Sequence, residues 1–139
     1  MTYPRNLGSR GLDGLNQIRC SQLVLLEPKR LPAFFYRSER GREPVREWVQ
    51  GLRATDRKII GEDVKDVEFS WPLGMPLVRS LGSGLWEVRS RLTGGKIARV
   101  IFCVAQGRMV LLHGFVKKTQ KTPQKDIDLA LRRKKGEDQ

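Results

Sequence analysis

GLWEVRSRLTGGKIARVIFCVAQGRMVLLHGFVKKTQKTP, residues 84–123, decides the fold. Three apolar runs are separated by Thr93-Gly94-Gly95 and Gln106-Gly107. Connections that short join antiparallel neighbours, because a parallel crossover needs about a dozen residues or more. The stretch therefore reads as a β-meander whose last strand runs into a lysine-rich segment. Side chains alternate across a strand, so Glu87, Arg89 and Arg91 share one face while Trp86, Val88 and Leu92 share the other. In the second strand Arg99, Ile101 and Cys103 lie on one side, and Val100, Phe102 and Val104 on the other. Antiparallel pairing brings Arg89 and Arg99 onto a common face, provided the turn fixes that register. Such a face suits polyanions.

Upstream of the meander, Leu23–Leu26 and Ala33–Tyr36 are apolar runs interrupted by Pro28 and Pro32, and the second reads as an edge strand. Glu43-Pro44 opens a helix, since proline is tolerated in a first turn, and Val45, Trp48, Val49 and Leu52 follow along one apolar face. Thr55 is expected to cap a second helix striped by Ile60, Val64 and Val67. The two helices form a hairpin through residues 51–54, and the proline-punctuated loop Trp71–Pro76 leads into the meander. Downstream, Thr122-Pro123 reads as a cap and first-turn proline for a short helix carrying Ile127, Ala130 and Leu131. Arg132–Lys135 reads as a solvated end. The expected fold is α+β: a small, twisted, mainly antiparallel sheet, two N-terminal helices on one face, and a short C-terminal helix. Residues 1–22 hold no helical or strand period and are expected to be a disordered leader or a non-native extension from an upstream start codon. Residues 23–132 then form one domain and residues 133–139 a basic mobile tail.

The 139 residues carry 27 Lys and Arg against 15 Asp and Glu, a formal charge of +12 that attracts phosphate-rich partners. A basic protein with no polyanion partner is the plain alternative. No apolar run approaches the roughly 18 residues of a membrane helix, and no continuous apolar segment follows Arg5 and Arg10 as a secretory signal requires. A cytoplasmic protein with no membrane partner is expected. Cys20 and Cys103 lack the paired spacing of a metal or redox motif and read as free thiols. A phosphate-cradling glycine loop, a zinc-ligand cluster and a nucleophile elbow are all missing from the sequence, so neither a metal nor an organic cofactor is implied.

The candidate chemistry lies with Arg89, Arg99, Lys118 and Lys121, with Arg91, Lys96, Lys117 and Lys125 as further polyanion contacts. Fixed arginines clamp phosphate oxygens bidentately and lysines add point charges at the rim. Spacing alone serves a generic phosphate-binding face equally well. Cleaving RNA additionally requires the 2′-hydroxyl deprotonated, the phosphorane charge stabilised and the leaving oxygen protonated. Arginines meet the second need, and a lysine crowded by like charges is a candidate for the others. His113 is the single histidine and the default acid or base. Alternation with Leu111 and Phe115, however, reads as a structural histidine first and a catalytic one second. Glu87 is a secondary base candidate that serves as readily to neutralise Arg89 or Arg99.

The segment Leu81–Arg89 with its GLWEVR core, the Arg99 strand, and LHGFVKKTQKTP (residues 112–123) together resemble the phage Gp49-like branch of the RelE/HigB toxins. The resemblance covers roughly residues 29–132. It implies a RelE-like fold with two helices packed on one sheet face and an RNA-binding concavity on the other. It also implies an mRNA interferase that cuts messenger RNA on translating ribosomes and is silenced by a cognate helix-turn-helix antitoxin. Under it, Arg89 matches a basic residue on the first central strand. Arg99 matches the arginine that contacts the scissile phosphate, and Lys117 or Lys118 the basic position after the last strand. Two departures stand out: Glu87 replaces a lysine proposed as acid or base, and a C-terminal catalytic tyrosine is missing, since Tyr3 and Tyr36 are the only tyrosines. The mechanism is then redistributed among Arg89, Arg99, Lys118, Lys121 and His113. A non-enzymatic toxin that binds a protein such as DNA gyrase, and an RNA-binding module without catalysis, are the alternatives.

Overall fold

The computed structural model describes residues 28–137; the leader with Cys20 and the apolar run Leu23–Leu26 lie outside the described residues. Five strands form one sheet: β1 (Ala33–Phe35), β2 (Val78–Gly82), β3 (Leu85–Arg91), β4 (Ile97–Ala105) and β5 (Arg108–Lys117). Their order is β1-β5-β4-β3-β2, with β1 parallel to β5 and every other pair antiparallel. The expected edge strand is β1, and the expected three-strand meander is β3 to β5.

The meander has a fourth strand that the sequence pattern does not reveal. β2 joins β3 through Ser83-Gly84, and β4 joins β5 through Gln106-Gly107. The φ values of these four residues are 54°, 77°, 54° and 72°, respectively. Positive φ at both turn residues gives the primed hairpin turns whose twist matches that of the strands they connect. β2 is hard to see because only Val78 in it is buried, so its five residues show no apolar alternation.

Helices α1 (Pro44–Gln50) and α2 (Ala54–Ser70) pack on one sheet face, where Val45, Ile60 and Val67 meet Val78, Val88, Val100 and Phe102. Arg53 occupies the N-cap of α2 without a side-chain bond, so Thr55 lies in the first turn instead of capping it. Helix α3 (Gln124–Glu137) covers part of the opposite face, with Ala130, Ile127 and Leu131 on Leu85, Ile101, Val110 and Leu112. It continues through residues 133–137, where the charge pattern reads as a solvated tail. The sheet is thus the middle of three layers.

A register shift interrupts the β4/β5 ladder: Ile101 pairs with His113, but Phe102 pairs with Leu111. Leu112 is the extra residue of this bulge, and its carbonyl accepts a hydrogen bond from Arg133 Nη1 at 2.7 Å. The bulge therefore leaves an acceptor out of the ladder, and α3 satisfies it. Burial pulls the Arg133 guanidinium below its ordinary range, against which Tyr36 pushes it up. The same bulge breaks the parity assumed for His113. Leu111 faces the α1/α2 hairpin, while His113 shares the α3 face with Phe115, onto which its ring stacks at 5.4 Å.

Gly114 is required by a close approach. A Cβ there would lie 2.4 Å from the Trp48 ring, which packs from α1. We expect Gly114→Ala to lower stability in chemical denaturation by about 1–3 kcal/mol, the usual cost of overpacking. Gly61 on α2 borders an apolar cavity of ≈ 180 Å³ and would place a Cβ with nothing within 4 Å. Gly61→Ala should therefore raise stability by roughly 0.5–1 kcal/mol through helix propensity alone.

Candidate functional site

Arg89 and Arg99 are direct partners across β3 and β4, as the meander register predicts. Like charges placed opposite each other on one sheet face repel, so the pair requires compensation. The structure provides it by burial among acceptors instead of by solvent. Glu87 and Arg99 are 0% exposed and Arg89 is 9% exposed. The arginines expected on an open concavity therefore lie beneath a cover, formed by the segment between β5 and α3.

That cover works through oxygen atoms. Arg89 Nη2 donates to the Gln120 carbonyl at 3.2 Å and to Gln120 Oε1 at 3.1 Å. Arg79, on β2, donates to the same carbonyl at 3.4 Å. Arg99 Nη1 donates to Thr122 Oγ1 at 3.4 Å, and the Thr122 hydroxyl donates to Glu87 Oε2 at 2.6 Å. The other Glu87 oxygen lies 3.8 Å from Arg89 Nε as an ion pair. Three polar atoms in this floor have no hydrogen-bond partner: Arg99 Nε, Arg99 Nη2 and Glu87 Oε1. Burial lowers the Arg99 guanidinium from its ordinary range, Glu87 raises it, and the neighbouring Arg89 and Arg79 lower it further. Arginine remains cationic regardless, so the floor presents fixed positive charge with unused donors.

Next to this floor is a second polar pair. His113 Nε2 lies 2.7 Å from Asp126 Oδ1, in the first turn of α3, and Lys117 Nζ lies 3.9 Å from Asp126 Oδ2. Bonding one ring nitrogen to a carboxylate fixes the tautomer of a neutral histidine and leaves the other nitrogen as the basic one. Asp126 also contributes to the field at Arg99, so the two clusters are electrostatically continuous.

The sequence candidates thus separate. Arg89, Arg99, His113 and Lys117 come together with Glu87 on the α3 face. Arg91, Lys96, Lys118, Lys121 and Lys125 are exposed, and among the described residues none has a hydrogen bond or ion pair to the buried groups. Sequence reasoning missed Arg79, Gln120, Thr122 and Asp126 as members of the site. Thr122 did carry a signal, but one that points to a different role. It reads as a helix cap, yet α3 begins at Gln124 and the hydroxyl is committed to Glu87. Among the described residues no three His, Cys, Asp or Glu side chains converge to hold a metal ion, and no helix is long and apolar enough to cross a membrane.

Glu87→Ala would leave two buried guanidiniums without their nearest anion, a loss of about 3–5 kcal/mol for a buried pair broken on one side. Glu87→Gln, which keeps an acceptor for Thr122, should lose less, and urea denaturation of the two variants measures the difference.

A family model described as phage derived protein Gp49-like (DUF891) matches residues 47–135, more than half of the chain. No curated protein matches it.

Proposed function

The chain belongs to the phage-derived Gp49-like family, the RelE/HigB-type toxin branch that its motifs resemble, and from that membership we propose that it is a toxin that cleaves messenger RNA. It is a toxin-antitoxin kind of protein. The observation that carries the nuclease reading is the Arg89/Arg99 pair, registered across two central strands beside a buried carboxylate. Two guanidiniums on rigid strands hold a phosphodiester by paired donors and stabilise the charge that develops on its equatorial oxygens. This fixed geometry is what in-line attack by a 2′-hydroxyl needs.

Proton transfer falls to the two groups that border the arginines. Glu87 Oε1 accepts no hydrogen bond and faces Arg89, so it is placed to take the 2′-hydroxyl proton. In its doubly protonated form His113, with Nε2–H held by Asp126, can give its Nδ1 proton to the leaving oxygen. No tyrosine is needed in this scheme. The exposed Arg91, Lys96, Lys118, Lys121 and Lys125 then serve as a rim that draws the strand in by long-range attraction. Translating ribosomes supply the messenger RNA, and a cognate helix-turn-helix antitoxin with an acidic segment would compete for the same basic surface.

Brief induction in cells should halt growth and produce new 5′ ends within coding sequence, mapped by end sequencing. Arg99→Ala is expected to lower cleavage by about 10²–10³-fold, the usual loss for a transition-state donor. Arg99→Lys should recover only part of it, because the fork is lost while the charge stays. Single rim substitutions such as Lys118→Ala should weaken RNA binding modestly and reduce its salt dependence by about one ion. Growth arrest with DNA damage and intact mRNA would instead identify a toxin acting on a protein such as gyrase. Tight, salt-sensitive RNA binding with no new ends would identify a binding module.

A further inference from the structure

The phosphate-binding reading places RNA on Arg89 and Arg99, yet both side chains are covered. The cover is residues 118–123, Lys-Thr-Gln-Lys-Thr-Pro, which contain no large apolar side chain. Its contacts with the sheet are polar. They are the Gln120 carbonyl and amide oxygens on Arg79 and Arg89, and the Thr122 hydroxyl between Arg99 and Glu87. Three arginines thus have their donors on strap oxygens, the kind of acceptor that a phosphodiester also offers.

We propose that residues 118–123 act as a pseudosubstrate strap, closed over the Arg79/Arg89/Arg99 floor by oxygen atoms that a phosphodiester of single-stranded RNA displaces. This inference rests on the phosphate-binding role assigned to that floor above. Three observations carry it. First, Gln120 and Thr122 do not saturate the floor: Arg99 Nε and Nη2 remain unpartnered although the side chain is 0% exposed. A buried cation with idle donors gains bonds when an anion with several oxygens takes the strap's place.

Second, the ends of the strap are fixed while its middle is held to the sheet by side-chain partners alone, at Gln120 and Thr122. Lys117 terminates β5, and α3 is pinned by Ala130 in an apolar cluster and by Arg133 on the Leu112 carbonyl. Residues 118–122 can lift while Pro123, whose carbonyl accepts from the Asp126 and Ile127 N–H groups, stays with the helix, and lifting exposes charged groups that regain hydration. Third, the charge of the strap opposes its closed position. Lys118 and Lys121 add two cations beside three arginines, a repulsion that RNA phosphates convert into attraction.

The test uses the full chain and a short fluorescein-labelled single-stranded RNA as probe. Gln120→Ala combined with Thr122→Val removes two of the oxygen acceptors while leaving the arginines in place. We expect the double variant to bind the probe about tenfold more tightly or better, in line with hydrogen bonds to charged groups lost from the closed state alone. We also expect trypsin to cut at Lys118 and Lys121 faster than in the unsubstituted chain. Adding Arg99→Ala to the double variant should abolish the gain in affinity. An unchanged or weaker affinity with a loosened strap would overturn the proposal, since Gln120 and Thr122 would then not be competing with RNA. A strap equally resistant to trypsin would overturn it too, because those bonds would not be what holds it closed. Cleavage is read separately: tighter probe binding without mRNA cleavage leaves the strap standing and removes the nuclease reading.

Discussion

Two arginines facing each other across adjacent strands set the terms for this half of the molecule. Arg89 and Arg99 cannot be separated without changing the β3/β4 register, and a one-residue slip would drive the whole apolar face of both strands outward. Their repulsion is therefore locked in by the hydrophobic pattern of Val88, Val100 and Phe102 on the other side of the sheet. Everything that surrounds them answers that constraint. Glu87 contributes the opposing charge, Thr122 bridges the carboxylate and Arg99, and Gln120 takes the donors of Arg89. Folding and the proposed function draw on the same pair in opposite senses, because charge that is costly to bury is what a phosphate would need to find.

The placement of α3 follows from a different local event. The bulge at Leu112 turns two consecutive side chains, Leu112 and His113, toward the same face and leaves one carbonyl outside the ladder. Arg133 reaches that carbonyl from the far end of α3, so the helix is fixed over the lower part of the sheet while its first turn brings Asp126 to His113. One extra residue in a strand thereby determines both where the helix lies and which partner the histidine has. The bond between Arg133 and Leu112 also explains why the basic run at the end of the chain is not simply solvated.

These facts mark how far the sequence could be read. The β4/β5 hairpin is legible because Gln106-Gly107 announces a tight turn, and the Arg89/Arg99 pairing is legible because register follows from turn position and face alternation. The helical hairpin was legible from Val45, Trp48, Ile60, Val64 and Val67. Burial of the arginines was not, because it depends on where a six-residue segment without apolar side chains settles, and no periodicity encodes that. His113 shares the face of Phe115 as alternation implies but not that of Leu111, because alternation assumes an unbroken ladder and a bulge is invisible to it. Thr122 illustrates the third kind of loss. Its position before a proline fits a helix cap, but α3 begins at Gln124, and the Thr122 oxygen accepts from Arg99 while its hydroxyl donates to Glu87 instead of taking a helix N–H.

The division between floor and rim gives the net charge of +12 a structural meaning. Charges at the rim act through solvent, fall off over a Debye length of about 8 Å at physiological salt, and contribute mainly to encounter. Charges in the floor are shielded from that screening, act over contact distances, and in the proposed function would determine which atom of a bound strand is held. A protein with only the rim would bind any polyanion and select nothing; one with only the floor would meet its ligand slowly. Because the floor is the part whose charges are confined by folding, selection among ligands in the proposed function would depend on the β3/β4 register, while attraction would depend on exposed lysines around it.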